Sequence, residues 1–510
     1  MTKKGIESSI SKQLFDALDR IKKLEKKLDE ASTKIDALEK DAIKKEKLHV
    51  KECKELESRC NKLEKIIIKK DNKIKKLEAE ILRLKTKSKK DSSNSSKPSS
   101  TNGFKKVITN RRQKSDKPKG KTKGEKSTNL SKEKLQQLID SGNVEYRVVE
   151  VNKNSKNKNK KYKSAKVIDI IITKIITEYR YYQKNDGTYD SPEYHNRAIQ
   201  YGNNLKGISC LLNVNFNNST DGVKAFIEDV TNNGITLAKS TILSWNNKLA
   251  ENLHPEISNI EEKLNDAYYV NADDSTIKIN GDSYYDLCVS NETHTKLTIS
   301  DKKDHKTWSD KTILDNYQGV IVKDGTDVYN GFGITLSQCA SHILRYIKGV
   351  YDYVDHSGAK EMEKFIQKCI HERKIAIEKG IESYSQEEIE KLYVEFKDIF
   401  SKWKSEWMHS NPENNGVYDD ERKLLARFED ESELEQILYF LKDFNVPATN
   451  SRGEIDQRSL KIKQKIGKFR STGGADDYAT IKSCILTYKK HSVDLLDALR
   501  QAFTKNPVIA

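Results

Sequence analysis

Apolar residues recur alternately three and four positions apart over residues 14–84, and this spacing constrains the chain more than any other feature. The first seam joins Leu14, Ala17, Ile21, Leu24, Leu28, Ala31, Ile35, Leu38 and Ala42. After an eleven-residue step, a second seam joins Cys53, Leu56, Cys60, Leu63, Ile67, Ile74, Leu77, Ile81 and Leu84, interrupted at Lys70. Such heptads predict a coiled coil over residues 10–86 with a stutter between its segments. The alternative is a solvated single helix, in which an apolar seam has no purpose.

The charge of the chain indicates a polyanionic partner. Lys and Arg number 93 against 77 Asp and Glu, which gives a formal charge of +16 over 510 residues. This balance favours nucleic acid or an anionic membrane surface. The start of the sequence lacks the apolar run of a signal peptide, so we expect a soluble cytoplasmic protein, associated with the bacterial nucleoid if DNA is the partner. The seven cysteines include no Cys-x-x-Cys pair, so neither disulfides nor zinc are expected.

Three further regions precede the segment that carries the chemistry. Residues 87–134 are rich in Lys, Ser and Asn and predict a disordered basic linker, which either binds DNA phosphates, through Arg111 and Arg112 among others, or serves only as a tether. Residues 135–200 contain β-branched runs and predict a small β-rich module. Residues 201–265 read as helical, and a turn and helix at Gly234–Trp245 allow a helix-turn-helix DNA-binding region.

The region 266–350 has the pattern of a small sheet. Tyr268–Ile279 can form a strand, Asn280-Gly281 is a hairpin signal, and Ser283–Ser290 and Lys296–Ser300 predict two further strands. A short helical piece at Trp308–Asn316 precedes a buried strand that spans 319–323 and ends at Asp324. One acid, Asp273, therefore lies on the first strand and another follows the fourth, which is the ground plan of ribonuclease H-like nucleases.

A third acid is needed from a later helix, and Glu454 is the natural candidate. Thr449 and Asn450 offer N-caps for that helix, and Glu454 shares a stripe with three cations, Arg458, Lys461 and Lys465. The alternative for Glu454 is an ordinary first-turn acid favoured by the helix dipole. Asp274 competes with Asp273, but neighbours on a strand point to opposite faces, so only one of them can face the site.

Three carboxylates suit metal-dependent cleavage of phosphodiesters. Oxygen ligands select Mg²⁺ or Mn²⁺, and two such ions stabilise the attacking and leaving oxygens of an in-line displacement. We therefore expect two divalent ions held by Asp273, Asp324 and Glu454. The predicted fold is a multidomain α+β protein whose ribonuclease H-like α/β core comprises residues 266–350 and 446–510, with a helical insertion at 351–445 around Trp403 and Trp407.

At these residues the chain resembles the insertion sequence 66 family of transposases, which have an Asp-Asp-Glu site on a ribonuclease H-like core. The similar segments, beyond the coiled coil, are Asn94–Ser99, the helical region Tyr201–Trp245, Asn271–Thr276, Val322–Tyr329, Cys339–Arg345, Asn450–Glu454 and Lys465–Ser471. The resemblance implies that Asp273, Asp324 and Glu454 are catalytic metal ligands. It also adds His342, Arg345, Lys468 and Arg470 to the candidate DNA contacts. By spacing alone, Cys339 and His342 are more typical of packing than of metal binding.

The sequence departs from that family at three motif positions, occupied by Asn271, Asp274 and Ser451, and lacks its cysteine-rich zinc module. The resemblance implies a DNA transposase that binds the ends of its element, cleaves them and joins them to target DNA. It would act as a homodimer or higher oligomer through the coiled coil, with accessory transposition proteins as further candidate partners. Two alternatives remain: a catalytically inactive DNA-binding regulator derived from a transposase, and a structure-specific DNA nuclease of the same fold.

Overall fold

The computed structural model describes residues 3–90, 131–142, 144–149, 166–188, 199–410 and 419–504. These residues divide into two compact units, of which one contains the N-terminal helix and the other contains all remaining elements. The expectation of a mixed α+β protein with an N-terminal helix is confirmed. None of the helices in the described residues is both long and apolar enough to cross a lipid bilayer.

The N-terminal unit is one continuous helix, α1 (Lys3–Lys89). Neither seam is interrupted by a proline or glycine, and the eleven-residue step between the seams leaves the helix unbroken. The large apolar residues of both seams are exposed along it, with Leu28, for example, 73% exposed. The coiled coil itself needs a second helix and stays a prediction.

The second unit is built around a five-stranded sheet in the order β3-β2-β1-β4-β5. Its strands are β1 (Tyr269–Ile279), β2 (Asp282–Ser290), β3 (Thr295–Ser300), β4 (Val320–Lys323) and β5 (Thr335–Gln338). The first three strands are antiparallel neighbours, whereas β4 and β5 run parallel to β1. Asn280 and Gly281 both have positive φ angles, 50° and 101°, as the tight β1–β2 hairpin requires. The four strands anticipated from the sequence correspond to β1–β4.

Helices surround this sheet. They are α2 (Lys132–Asp140), α3 (Asn203–Cys210), α4 (Thr220–Val230), α5 (Lys239–Asn252), α6 (His254–Asn265), α7 (His305–Lys311), α8 (Ala340–Tyr351), α9 (Ser357–Glu378), α10 (Gln386–His409), α11 (Asp419–Glu429), α12 (Glu431–Lys442), α13 (Ser451–Ile466), α14 (Thr472–Lys490) and α15 (Leu495–Ala502). Of these, α13 packs on β1 and β2, α14 packs on β3, and α12 packs against β5. The main core lies between the sheet and helices α3–α6, α14 and α15.

The β-rich module expected at 135–200 is not found in the described part of that range. Helix α2 extends to Asp140, and 166–182 contains no strand. The run Val167–Ile176 has the residue types of a strand, but Val167 and Ile176 are 91% and 97% exposed, so no neighbour covers them. A strand is stable only with a hydrogen-bonded neighbour and a covered face, and local β-propensity does not supply either. Most of the predicted basic linker, 91–130, lies outside the described residues.

In the described residues of the region predicted as an insertion, 351–445, the elements are all helices, from the end of α8 to α12. Trp403 is buried there, and its indole Nε1 donates to Glu421 Oε1 at 2.6 Å. The same oxygen lies 2.6 Å from His356 Nδ1. This buried network joins the start of α9 to α10 and α11, and both α9 and α11 also pack on α8.

Candidate metal centre

The register of the sheet brings Asp273 and Asp324 to the same level. Strands β1 and β4 are parallel neighbours, and Asn271 is paired with Val322. Asp273 and Asp324 each follow these partners by two residues, so both continue on the same face of the sheet. Asp324 is the first residue after β4, where the chain leaves the sheet. The two acids are thus neighbours in space although 51 positions apart in sequence.

The first turn of α13 is held directly against Asp273. Asn450 is buried, and its side-chain amide donates to the carbonyl oxygen of Ala272 at 2.8 Å and accepts from Asn271 Nδ2 at 2.9 Å. One turn later, Gln457 Nε2 donates to the carbonyl oxygens of Asp273 and Asp286, both at 3.1 Å. Polar contacts to the backbone of β1 and β2 therefore fix the helix that carries Glu454.

Asn450 occupies the N-cap position of α13, as expected, but its side chain makes no capping hydrogen bond. Its backbone N–H instead contacts Cys339 Sγ at 3.1 Å. Cys339 is buried just before α8 and therefore packs, as its spacing suggested, against the start of α13.

The electrostatics of Asp273 show that the three acids face a common region. The pKa of Asp273 is raised to about 8, mainly by burial and then by the charges of Asp324, Asp274 and Glu454, while Lys461 opposes the shift. A cation bound between these carboxyl groups would favour the ionised form of Asp273. The donor set consists of hard oxygen atoms, which suits Mg²⁺ or Mn²⁺.

The acids do not form a closed ligand cage in this arrangement. Within the described residues, no group of three or more His, Cys, Asp or Glu side chains is placed to hold one metal ion. Asp324 Oδ1 accepts from the backbone N–H and hydroxyl of Thr326 at 3.0 and 2.8 Å. Glu454 Oε1 lies 3.3 Å from Arg345 Nη2. Two of the three acids, Asp324 and Glu454, are thus held by hydrogen-bond or ion-pair partners of their own.

Asp274, the competitor of Asp273, points away and is paired with a cation. Its Oδ2 lies 2.8 Å from Lys303 Nζ. Lys303 also lies over the ring of Tyr285, 5.5 Å from its centroid. This lysine neutralises Asp274, so Asp273 is the acid of the pair that faces α13.

Asp286 on β2 is a further acid beside the site, and it was not expected from the sequence. It is fully buried, and neither carboxylate oxygen has a hydrogen-bond partner in the described part of the chain. Burial raises its pKa well above the ordinary value, and the charge of Asp273 raises it further. Its neighbour across the hairpin is Ser275, two residues from Asp273 on the same face. The signal available in the sequence was a single acid within the largely apolar run of β2, between Tyr285 and Leu287.

The predicted DNA contacts fall into three groups. Exposed side chains on or just after α13 belong to Arg458, Lys461, Lys465, Lys468 and Arg470. His342 and Arg345 lie partly buried on α8, where Arg345 pairs with Glu454. Burial lowers the pKa of His342, and the charge of Arg345 lowers it further. The third group, Arg111 and Arg112, lies outside the described residues.

Ile455, Ser459, Ile462 and Ile466 are spaced four, three and four residues apart, which predicts an inward stripe of α13, but this stripe does not face the core. The three isoleucines of α13 are about half exposed, and the helix turns Gly453, Asp456, Gln457 and Leu460 inward instead. Asp456 bonds Lys490 Nζ and the hydroxyl of Thr295, both at 2.8 Å. The inward side of α13 is therefore largely polar, which a search for apolar periodicity does not reveal.

Comparison with known proteins supports the resemblance seen in the sequence. A family model described as the transposase IS66 family matches residues 222–477, just over half of the chain. The match includes Asp273, Asp324 and Glu454 and begins within α4. No curated protein matches the chain.

Proposed function

Because the chain belongs to the transposase IS66 family, we propose that it is a DDE-type DNA transposase whose catalytic acids are Asp273, Asp324 and Glu454. It binds the ends of its insertion sequence, cleaves the phosphodiester bonds there and joins the ends to target DNA. The observation that carries this proposal is geometric: β1 and β4 are parallel neighbours that bring Asp273 beside Asp324, while Asn450 and Gln457 hold the helix that contains Glu454 against the backbone of β1.

The strand order supports a ribonuclease H-like core. Three antiparallel strands are followed by two strands parallel to the first, and the first and fourth strands are neighbours. The first acid, Asp273, lies on the central strand β1, and the second, Asp324, follows the adjacent strand β4. The third, Glu454, comes from α13, which packs on β1. This placement is the one expected of a two-metal nuclease of that fold.

The residues of the site have separate tasks. Asp273, Asp324 and Glu454 would hold two divalent cations, which supply charge stabilisation to the attacking and leaving oxygens. Arg345 holds the Glu454 carboxylate in place at 3.3 Å, and Lys303 neutralises Asp274. Gln457 fixes the backbone of Asp273 from the helix side. These contacts keep the acids oriented before DNA is bound.

DNA is the proposed partner of the exposed cations that follow Glu454. Arg458, Lys461 and Lys465 recur at spacings of three and four along α13, and Lys468 and Arg470 continue beyond its end. Cations in such a row contact successive phosphates without reading the bases. The row of cations begins next to Glu454, so a DNA strand bound along it would extend toward Asp273. Pairing of two subunits through α1 would hold two DNA ends together.

A cleavage assay tests the proposal. Labelled duplexes carrying the element ends are incubated with Mg²⁺ and with wild type, Asp273→Ala, Asp324→Ala or Glu454→Gln. A matched control is Asp310→Asn, an exposed acid on α7 paired with Lys306. We expect cleavage by wild type and control, and a loss of about 100-fold or more in the three site variants.

The products separate the alternatives. Joining of 3′ ends to a target plasmid is expected for a transposase, whereas cleavage without joining would indicate a nuclease of the same fold. Equal activity in all variants would overturn the assignment of the acids. Specific end binding without cleavage by any protein would instead indicate a regulator.

A further inference from the structure

The long helix α1 has an apolar side that no other described residue of its own unit covers. Along its 87 residues the seam side chains are exposed, with Leu24 and Leu38 64% and 69% exposed. A row of leucines and isoleucines this long is stable in water only when another helix covers it. We propose that α1 pairs with α1 of a second copy of this chain as a parallel, in-register, two-stranded coiled coil. This inference rests on the proposed function and adds to it the relative orientation and the register of the two α1 helices.

The residue types of the second seam favour two parallel strands. In heptad terms, Cys53, Cys60, Ile67, Ile74 and Ile81 occupy the a positions, and Leu56, Leu63, Lys70, Leu77 and Leu84 the d positions. β-branched residues at a with leucine at d favour parallel dimers over larger bundles. Lys70 weakens one layer, although its long stem can carry the ammonium group out to water.

The charges beside the first seam match only in the parallel orientation. In a parallel in-register pair, each g residue lies opposite the e residue five positions later on the partner. Arg20 then faces Glu25, and Lys34 faces Glu39. In an antiparallel pair, g residues would face g residues, which sets Arg20, Lys27 and Lys34 against one another. Like charges would repel at these three positions, whereas the last g residue of the seam, Asp41, is acidic.

The second seam has the same pattern. Arg59 precedes Glu64 by five positions, and Lys73 precedes Glu78 by five. A like-charged pair, Glu52 with Glu57, opposes this trend at the start of the seam. The e positions 57, 64, 71 and 78 are all acidic, so an antiparallel pairing would again bring like charges together.

Two cysteines report the register directly. Cys53 and Cys60 occupy a positions and are the exposed cysteines of the described residues, whereas the other five are buried. In a parallel in-register pair, each faces its own counterpart across the seam, within the range where a disulfide can form. In an antiparallel pair or one shifted by a heptad, they face other residues or each other.

Oxidative cross-linking of the full-length protein tests this arrangement. Dilute protein is oxidised with diamide, separated without reductant, and its linked peptides are identified by mass spectrometry. We expect covalent dimers with Cys53–Cys53 and Cys60–Cys60 links, still formed by each single serine variant and abolished in C53S/C60S. Predominant Cys53–Cys60 links, or a monomer by light scattering, would overturn the proposal.

Charge reversal provides a second, independent test. Glu25→Lys with Glu39→Lys should raise the dimer dissociation constant about tenfold or more, because each e–g contact becomes repulsive. Adding Arg20→Glu and Lys34→Glu to the same chain should restore it to near the wild-type value. No rescue would contradict the parallel register. A monomer that still cleaves element ends would overturn this pairing alone, whereas a correctly linked dimer without cleavage would overturn only the nuclease proposal.

Discussion

Gly453 lies against Asp273 so closely that a Cβ atom at position 453 would stand 3.2 Å from the Cβ of Asp273. The backbone of α13 thus approaches β1 without a side chain between them. Glu454 is the next residue, so this close approach is what brings the third acid to the site. The helix is fixed there by Asn450 before it and Gln457 after it.

Replacement of Gly453 by valine should therefore impair the site. The added side chain has to push α13 away from β1, which costs about 1–3 kcal/mol in overpacking and moves Glu454. We expect DNA cleavage to fall about tenfold or more. The comparison variant is Gly473→Val in α14, where an added Cβ meets no atom within 4 Å. Equal cleavage by both variants would show that the close approach is not required.

Asn450→Ala should lower the free energy of unfolding by about 1–3 kcal/mol, because it leaves the buried carbonyl of Ala272 and amide of Asn271 without partners. Urea unfolding followed by circular dichroism measures the loss. Asn445→Ala, an exposed asparagine before α13, should change stability by no more than about 0.5 kcal/mol. Similar losses in both variants would argue against the anchoring role of Asn450.

Lys482 in α14 should make stability depend on pH. It is buried, and its pKa is lowered to about 8, mainly by burial and also by the charge of Lys489 nearby. The unfolded chain therefore binds more protons between about pH 8 and 10.5, so the free energy of unfolding contributed by this group rises with pH across that window. At pH 7 the buried cation costs about 3 kcal/mol.

Lys482→Met removes that cost, so we expect the variant to be more stable than wild type at pH 7, by an amount that shrinks toward pH 10. Urea unfolding at several pH values gives the difference. The exposed Lys465→Met should show no such trend. A stability difference that stays constant with pH would contradict a lowered pKa at Lys482.

The sequence predicted the parts of the fold that local patterns specify. Strands β1–β4 were expected to within about two residues, because alternation, a buried run and the Asn280-Gly281 turn are local signals. Strand β5 was missed, since its four residues, Thr335–Gln338, are too few to show a period. The module expected at 135–200 stays a prediction, since its described residues contain no strand and the rest of the range lies outside the described residues.

The candidate site could be predicted only in part. Asp273 and Asp324 follow from the order of strands, whereas Glu454 was selected by its place at the start of a helix and in line with three cations, a weaker signal because many acids begin helices. Asn450 was expected to cap α13, but its side chain forms hydrogen bonds with Asn271 and Ala272 of β1 instead. Asp286 gave no signal in the sequence beyond being an acid in a largely apolar strand. Its relation to the site depends on its burial beside Asp273. Such contacts join segments that are distant in the sequence and form only when the chain packs, so local sequence patterns do not reveal them.

Binding of Mn²⁺ to the full-length protein, measured by calorimetry without DNA, tests the central claim most directly. If Asp273, Asp324 and Glu454 hold the cations, wild type and Asp310→Asn should bind Mn²⁺ equally well. Asp273→Asn and Glu454→Gln should each lower the affinity about tenfold or more. Unchanged Mn²⁺ affinity in both site variants, with their folds intact by circular dichroism, would contradict a metal centre at these acids.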